Sequence, residues 1–375
     1  MKARNVLISL VLGCMLILGF SMVAAGNAQT GEQSASLLAS GSQRYCGIAY
    51  RYRYILVCEQ SASLLASGLQ GASGSAIGPD SALYVTEGAL GRITRVDPES
   101  GELTTFAEGL PVAVLPIGGA TDLVFIDQTA YVLVTMVGDD LPVPVTQPAI
   151  VGVYRIDGPN SYTVIADIGQ WSIDNPSGSD VFIPSGVHYA IEKYREGFLV
   201  SDGHHNRVLH VSGAGVVSEF MAFGNIVPTG LEISGNQVYM AEAGPNPHLP
   251  EDGKIVSFGS SSSSVAEVAS GAPLLVDVEF GLGKTLYGLA QGIFPVGSDD
   301  GSPALPSTGS LVQVNGDGTF TTVVAGLDRP TSVDFIENTA FVVTLTGEVW
   351  KITNVSEPPF GTPRLSAVDS AFQAQ

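Results

Sequence analysis

The chain has 375 residues, with 16 Lys and Arg against 36 Asp and Glu and a formal net charge of -20. A field of that sign repels phosphate backbones and anionic lipid headgroups, so nucleic acid is excluded as a partner. Charged residues make up only 14% of the composition and hydrophobic ones 45%, so solubility rests on acidity rather than on dense surface charge.

At the start of the chain, Lys2 and Arg4 precede an apolar run over residues 6–25. Small residues come next, at Val23-Ala24-Ala25 and Gly26-Asn27-Ala28, in the pattern of signal-peptidase sites. Residues 1–28 are therefore expected to be a signal peptide and the mature protein to be secreted, periplasmic or extracellular, with no stable membrane insertion after cleavage. The alternative is an uncleaved anchor, because the run approaches the roughly 20 residues that span a bilayer. Cys14 goes with the signal, which leaves Cys46 and Cys58 able to form a local disulfide in an oxidising compartment.

Residues 29–60 carry a duplication. Glu32 to Gly41 (EQSASLLASG) recurs word for word as Glu59 to Gly68, and the stretch between, Ser42 to Cys58, is basic and aromatic. This segment is expected to be a poorly ordered excursion, and the two identical copies compete for one place in the fold. The second copy is favoured because it leads straight into the first blade without a spare linker.

From Ser61 onward one template repeats six times. Its third element reads GRITRVD at Gly91 to Asp97, VGVYRID at Val151 to Asp157 and NRVLHVS at Asn206 to Ser212. The later copies are GKIVSFG at Gly253 to Gly259, GSLVQVN at Gly309 to Asn315 and GEVWKIT at Gly347 to Thr353. An apolar run precedes each, such as Leu83 to Glu87, Phe198 to Asp202 or Val238 to Glu242. A fourth element is present in five repeats, at 103–110, 162–169, 217–224, 265–272 and 320–327. The sixth has none, and the missing strand sits ahead of the first repeat, at Ser61 to Leu69.

The repeat starts Ser73, Thr121, Ser185, Thr229, Val276 and Thr331 lie 48, 64, 44, 47 and 55 residues apart, the differences of those numbers. Such spacing suits four-stranded blades. The reading is all-β, a single six-bladed β-propeller over residues 61–353, closed by an N-terminal strand in the last blade, with residues 354–375 as a C-terminal tail. Borrowing the last strand from the other end of the chain removes the open edges that would otherwise aggregate. A monomer is expected.

In such a blade the loops from second to third strand, and from fourth strand to the next blade, emerge on one face. The insertions all choose that face, at residues 137–147, 170–183, 244–252 and 293–307. Long loops gathered on one face of a rigid ring carry binding, although propellers also accumulate harmless insertions there. On the same face end the second strands, with Glu87, Thr135, Asp202, Glu242, Gln291 and Thr344 as last polar positions, joined by Asp122 and Asp277 from the first strands. The candidate channel mouth is thus Glu87, Asp122, Asp202, His204, Glu242, Asp277 and Gln291. Converging carboxylates could hold Ca²⁺ or another divalent cation through oxygen, or act as a base with a raised pKa. The plainer reading is that acids at strand ends satisfy turn amides.

Asp202-Gly203-His204-His205-Asn206-Arg207-Val208 is the most pointed short motif; His204 and His205 could face the channel, but a polar turn before a strand is the commoner explanation. The chain has no nucleophile elbow, zinc-protease helix, phosphate loop or Cys-x-x-Cys pair, so no catalytic residue is assigned. The partner is an unknown small molecule or protein, and no cofactor is established.

Val200 to Gly213 (VSDGHHNRVLHVSG) resembles the NHL-type repeat. Ile77 to Glu87, Arg95 to Pro98, Ala120 to Leu123 and Pro228 to Leu231 resemble the ScyD/ScyE family of secreted propellers. That resemblance implies export and a ligand- or protein-binding scaffold without an assigned reaction. A second resemblance, to the gluconolactonase group, would imply a metal-assisted lactone hydrolase. Its first-blade carboxylate would fall near Ser73-Gly74 and its Asn-Gly ligand at Ser185-Gly186 or Thr229-Gly230, and none of these keeps the ligand residue.

Overall fold

The computed structural model describes residues 60–178, 182–259, 264–298 and 301–356. The expectations for the signal peptide, the duplicated segment up to residue 59, the cysteines and the tail beyond residue 356 lie outside these residues. Among the described residues no helix is long and apolar enough to cross a membrane.

Among the described residues twenty-four strands form six antiparallel sheets of four. The first blade contains β2 (Ala72–Ile77), β3 (Leu83–Glu87), β4 (Arg92–Val96) and β5 (Leu103–Glu108); β1 (Ser61–Ser67) precedes it. The second contains β6 (Gly119–Ile126), β7 (Thr129–Thr135), β8 (Gly152–Gly158) and β9 (Ser161–Asp167). The third contains β10 (His188–Tyr194), β11 (Gly197–Asp202), β12 (Arg207–Ser212) and β13 (Val217–Ala222). The fourth contains β14 (Pro228–Ser234), β15 (Gln237–Glu242), β16 (Lys254–Gly259) and β17 (Val265–Ser270). The fifth contains β18 (Leu275–Phe280), β19 (Leu286–Ala290), β20 (Gly309–Val314) and β21 (Phe320–Leu327). The sixth contains β22 (Pro330–Ile336), β23 (Thr339–Thr344) and β24 (Glu348–Thr353).

The innermost strands β2, β6, β10, β14, β18 and β22 each touch the next, and β22 touches β2, so the ring is closed. This is a six-bladed β-propeller. The sixth sheet runs in the order β1-β24-β23-β22. Ser61 stands opposite Thr353 and Ser67 opposite Glu348, with a bulge between Leu64 and Ala66.

Burial explains the template. The second strands lie between two sheets, and Leu83–Glu87, Gly197–Asp202 and Leu286–Ala290 are buried at every position, which is why they are mainly apolar, with polar residues confined to the strand ends. The fourth strands lie outermost, and Leu103, Thr104 and Thr105 of β5 are exposed. Cores form between blades: Tyr84, Ile93, Val132, Val134 and Tyr154 pack between the first two, and Leu199, Val208, Met240 and Phe258 between the third and fourth.

Two departures from the sequence reading concern the entry to the third repeat. The fourth strand of the second blade stops at Asp167, short of Gly169, and a seven-residue helix α1, Ile168–Asp174, replaces the expected loop. The cause is local: the Asp167 carboxylate accepts the Gln170 N–H at 2.8 Å, and an acidic N-cap satisfies a donor that the first helical turn leaves unpaired. The helix covers the entrance to the third blade, with Ile168, Gly169 and Ser172 buried.

Candidate functional site

Each innermost strand carries a register shift near its upper end, between Ala72 and Ser75, Ala120 and Asp122, His188 and Ile191, Pro228 and Leu231, Leu275 and Asp277, and Pro330 and Ser332. A bulge re-aims the side chains beside it. Above these bulges the ring opens into a central cavity of about 1210 Å³.

The cavity mouth is made by the loops between second and third strands and between consecutive blades. Leu115 and Ile117 come from the loop before β6, Phe182 and Ile183 from that before β10, His204 and Asn206 from that before β12, His248 from that before β16, and Pro303 to Pro306 from that before β20. The insertion in the second blade has its own small core, in which Leu141 packs with Leu115, Met136, Ile183 and Val187. His204 Nε2 accepts the backbone N–H groups of Phe182 and Ile183 at 3.1 and 3.2 Å, and its ring meets that of Phe182 edge-on. The Gln291 side-chain carbonyl accepts from the Ala304 N–H at 3.1 Å, which fixes the 293–307 insertion against the rim.

Below the rim the lining becomes acidic. Asp122, Glu192, Asp277, Glu279 and Asp334 all line the cavity, and Glu232 lies close enough to act on Glu192, Glu279 and Asp334. Each belongs to a first strand. Asp122 Oδ2 accepts the Ile191 N–H of the next blade at 2.8 Å, and Asp277 Oδ2 does the same with Val333. Asp334 accepts the Ser75 hydroxyl at 2.5 Å, and that hydroxyl lies 2.9 Å from Ser332 Oγ. These bonds tie neighbouring blades together along the channel.

Burial is the first cause of an upward pKa shift throughout the group. It pushes Asp277 to about 7, with Asp334 adding to the shift and the Val333 N–H opposing it. It pushes Asp334 to about 6 against the Ser75 hydroxyl. Asp122, Glu192 and Glu279 stand well above the usual carboxylate range, from burial first and then from neighbouring acids, Asp277 and Asp334 at Asp122 and Glu232 foremost at Glu192 and Glu279. Glu232 is raised by the same burial.

Of the residues expected at the mouth, Asp122, His204, Asp277 and Gln291 line the cavity, whereas Glu87, Asp202 and Glu242 do not. The reason is register. Glu87 pairs across the strand with Arg92, Asp202 with Arg207 and Glu242 with Lys254, so an acid ending the second strand meets a base beginning the third. Glu87 is fully buried and accepts from Arg92, Thr94 and the Gln70 N–H. Asp202 is buried against His188, His205 and Arg207, with His205 Nδ1 at 2.7 Å and Arg207 Nε at 3.2 Å. Burial opposes its ionisation, but these partners prevail and hold it at about 2. Glu242 is pushed up to about 7 by burial, with Lys254 opposing.

Glu192, Glu232, Glu279 and Asp334 do not stand out in the sequence, yet a signal exists. Each sits just past the bulge of its first strand, at the place held by Ala76 and Val124 in the first two blades. Across the hairpin these six positions face Tyr84, Tyr131, Leu199, Tyr239, Tyr287 and Phe341. An acid recurring there among large apolar neighbours marks the channel.

Among the described residues no group of three or more His, Cys, Asp or Glu side chains stands in an arrangement that would hold a metal ion. The channel carboxyls are spread around the ring, with Asp122, Asp277 and Asp334 engaged by backbone N–H or hydroxyl groups, and do not fit the divalent cation considered from the sequence.

No protein-family model matches the chain, and no curated protein matches it. Solved structures do. The gluconolactonase XC5397 of Xanthomonas campestris aligns with a TM-score of 0.55 at 11% identity, over 79% of this chain and 90% of that one. A putative gluconolactonase aligns at 0.52 and 12% identity, over 79% and 92%. The PQQ-bound aldose sugar dehydrogenase of Streptomyces coelicolor aligns at 0.53 and 13% identity, over 79% and 98%. At these identities the likeness is one of fold.

Proposed function

We propose that this chain is an exported binding propeller of the ScyD/ScyE kind that captures a small molecule in the central cavity on its long-loop face. The observation that carries this reading is the cavity itself: about 1210 Å³, walled by the insertion loops and floored by the six innermost strands. That size is somewhat above the range of drug-sized ligand sites, and an apolar wall with a few convergent polar groups is the usual form of such sites. The blade repeats support the family placement, and the N-terminal leader pattern supports export.

The test uses N-phenyl-1-naphthylamine, a weakly basic apolar fluorophore that is uncharged at neutral pH. Its emission rises on binding to the full chain and falls back when the 244–252 and 293–307 loops are replaced by short turns, with the circular dichroism spectrum unchanged. Undiminished emission in the shortened variant refutes the reading.

One observation favours a second reading, hydrolysis of a lactone or ester. Asp277, held near neutrality at about 7, lies beside Ser332, and a carboxyl with a pKa near the working pH is suited to general-base activation of water. Turnover of a lactone and ester panel that Asp277→Asn abolishes supports this; no turnover, with binding intact, removes it.

A further inference from the structure

The two ends of the cavity differ in chemistry. Its upper wall is apolar, with Leu115, Ile117, Ile183, Val227, Leu274 and Pro306. Its floor holds Asp122, Glu192, Asp277, Glu279 and Asp334. Among the described lining residues the one guanidinium or ammonium group is that of Arg329, and its Nε donates to its neighbour Asp328 at 2.6 Å. No cation among the described lining residues therefore answers the five carboxyls of the floor.

The carboxyls also differ in how they are held. Asp122, Asp277 and Asp334 accept hydrogen bonds from the adjoining blade. What acts on Glu192 is burial and four further carboxyls, Glu232, Asp122, Asp334 and Asp277. Glu192 is half-buried, and an acid with other carboxyls in reach is disfavoured in its charged form until an opposite charge arrives. The cavity provides the space for one to arrive from outside.

We infer, building on the binding reading above, that the ligand is an organic cation: a molecule with a protonated amine that enters the acidic floor and an apolar body that rests against the loop wall. The amine supplies the positive charge that the floor lacks, and the apolar part replaces water along the upper wall. An anionic ligand of the same shape is rejected by the same floor.

The experiment is calorimetric titration of the full chain with 2-phenylethylamine, 2-phenylethanol and phenylacetate, three probes of one shape and three charges. The amine is expected to bind at least about tenfold more tightly than the alcohol, a difference of roughly 1.4 kcal/mol, and phenylacetate not to bind. The Asp277→Asn, Glu279→Gln double variant, which removes two of the five floor carboxyls without removing volume, should narrow the gap between amine and alcohol. Equal affinity for amine and alcohol, binding of phenylacetate, or an amine preference undiminished in the double variant overturns the inference. Absence of amine binding also overturns it, and retained N-phenyl-1-naphthylamine emission then shows that the cavity still takes a ligand of another class.

Discussion

Gly74 and Asp122 stand against each other across the seam between the first and second blades: a Cβ placed on Gly74 would lie 2.2 Å from Asp122 Oδ1 and 2.6 Å from the Asp122 Cα. The same relationship recurs half a ring away, where a Cβ on Gly230 would lie 2.5 Å from the Asp277 Cα and 2.6 Å from its Oδ1. Each aspartate occupies the space that a missing side chain leaves, and each spans the opposite seam through a backbone N–H. Gly74→Ala and Gly230→Ala are expected to push the facing carboxyl out of place. Overpacking of this kind costs about 1–3 kcal/mol. Urea unfolding measures it, with Gly316→Ala, which meets open space, as the control that should change little.

The channel acids make stability depend on pH with a definite sign. An unfolded carboxyl titrates near about 4, whereas Asp334 and Asp277 titrate at about 6 and about 7 in the fold. Between those values the folded state keeps protons that the unfolded state has released, so stability falls as pH rises from about 4 to about 7 and then levels off. The groups facing Asp277 are Asp334 and the Ser332 hydroxyl together with the Val333 and Val278 N–H groups. Asp277→Asn should flatten this limb and raise the unfolding midpoint above neutrality. A variant profile parallel to that of the unaltered chain contradicts the assignment.

Asp202 contributes in the opposite direction. Its pKa is depressed to about 2 by His188, His205 and Arg207 despite its burial, so the stability it confers is present above about pH 4 and is lost as pH falls through about 2. Asp202→Asn leaves the Arg207 guanidinium, which also donates to the Asn175 carbonyl at 2.8 Å, enclosed without its counter-charge. Breaking a buried pair from one side costs roughly 3–5 kcal/mol. Denaturant unfolding at neutral pH reads the loss directly.

The outer strand of the sixth blade has a duplicate in the sequence. Ala66 is buried where β1 pairs with β24, and Ala39 holds the same place in the first copy of EQSASLLASG. Ala66→Asp alone is expected to be tolerated better than Ala39→Asp with Ala66→Asp, because the intact copy can pair with Glu348–Thr353 in its stead. Thermal unfolding and light scattering compare them: equal destabilisation by the single and double changes shows that the first copy cannot substitute, and only the double change should promote edge-to-edge association.

The blade template was legible because it reflects burial. Second strands covered on both faces are apolar up to their last two positions, Thr86-Glu87 and Ser201-Asp202 in Leu83–Glu87 and Gly197–Asp202, and the turn residues between them punctuate the repeat. The count of four strands came from the fourth element present in five repeats, and the closing strand from its absence in the sixth and the matching pattern at Ser61 to Leu69. Helix α1 was not legible, since seven residues carry too little periodicity to distinguish a helical turn from a loop, and only the Asp167 cap marks its start.

The candidate site was half legible. Asp122, His204, Asp277 and Gln291 do reach the cavity, the two aspartates beside the bulges of innermost strands and the other two in loops that line it. Glu87, Asp202 and Glu242 look equivalent to them in the sequence, yet each faces a base on the adjoining strand, a fact of cross-strand register that linear spacing does not carry. Conversely, Glu192, Glu279 and Asp334 read as ordinary alternation in separate repeats, and only ring closure gathers them. The sequence by itself determined the class of fold, the number of repeats and the face bearing the long loops, since these depend on local periodicity and on which strands are covered. Which acids are neutralised inside a blade and which are left facing one another across the channel was decided by the tertiary structure, because that depends on distances between residues far apart in the chain.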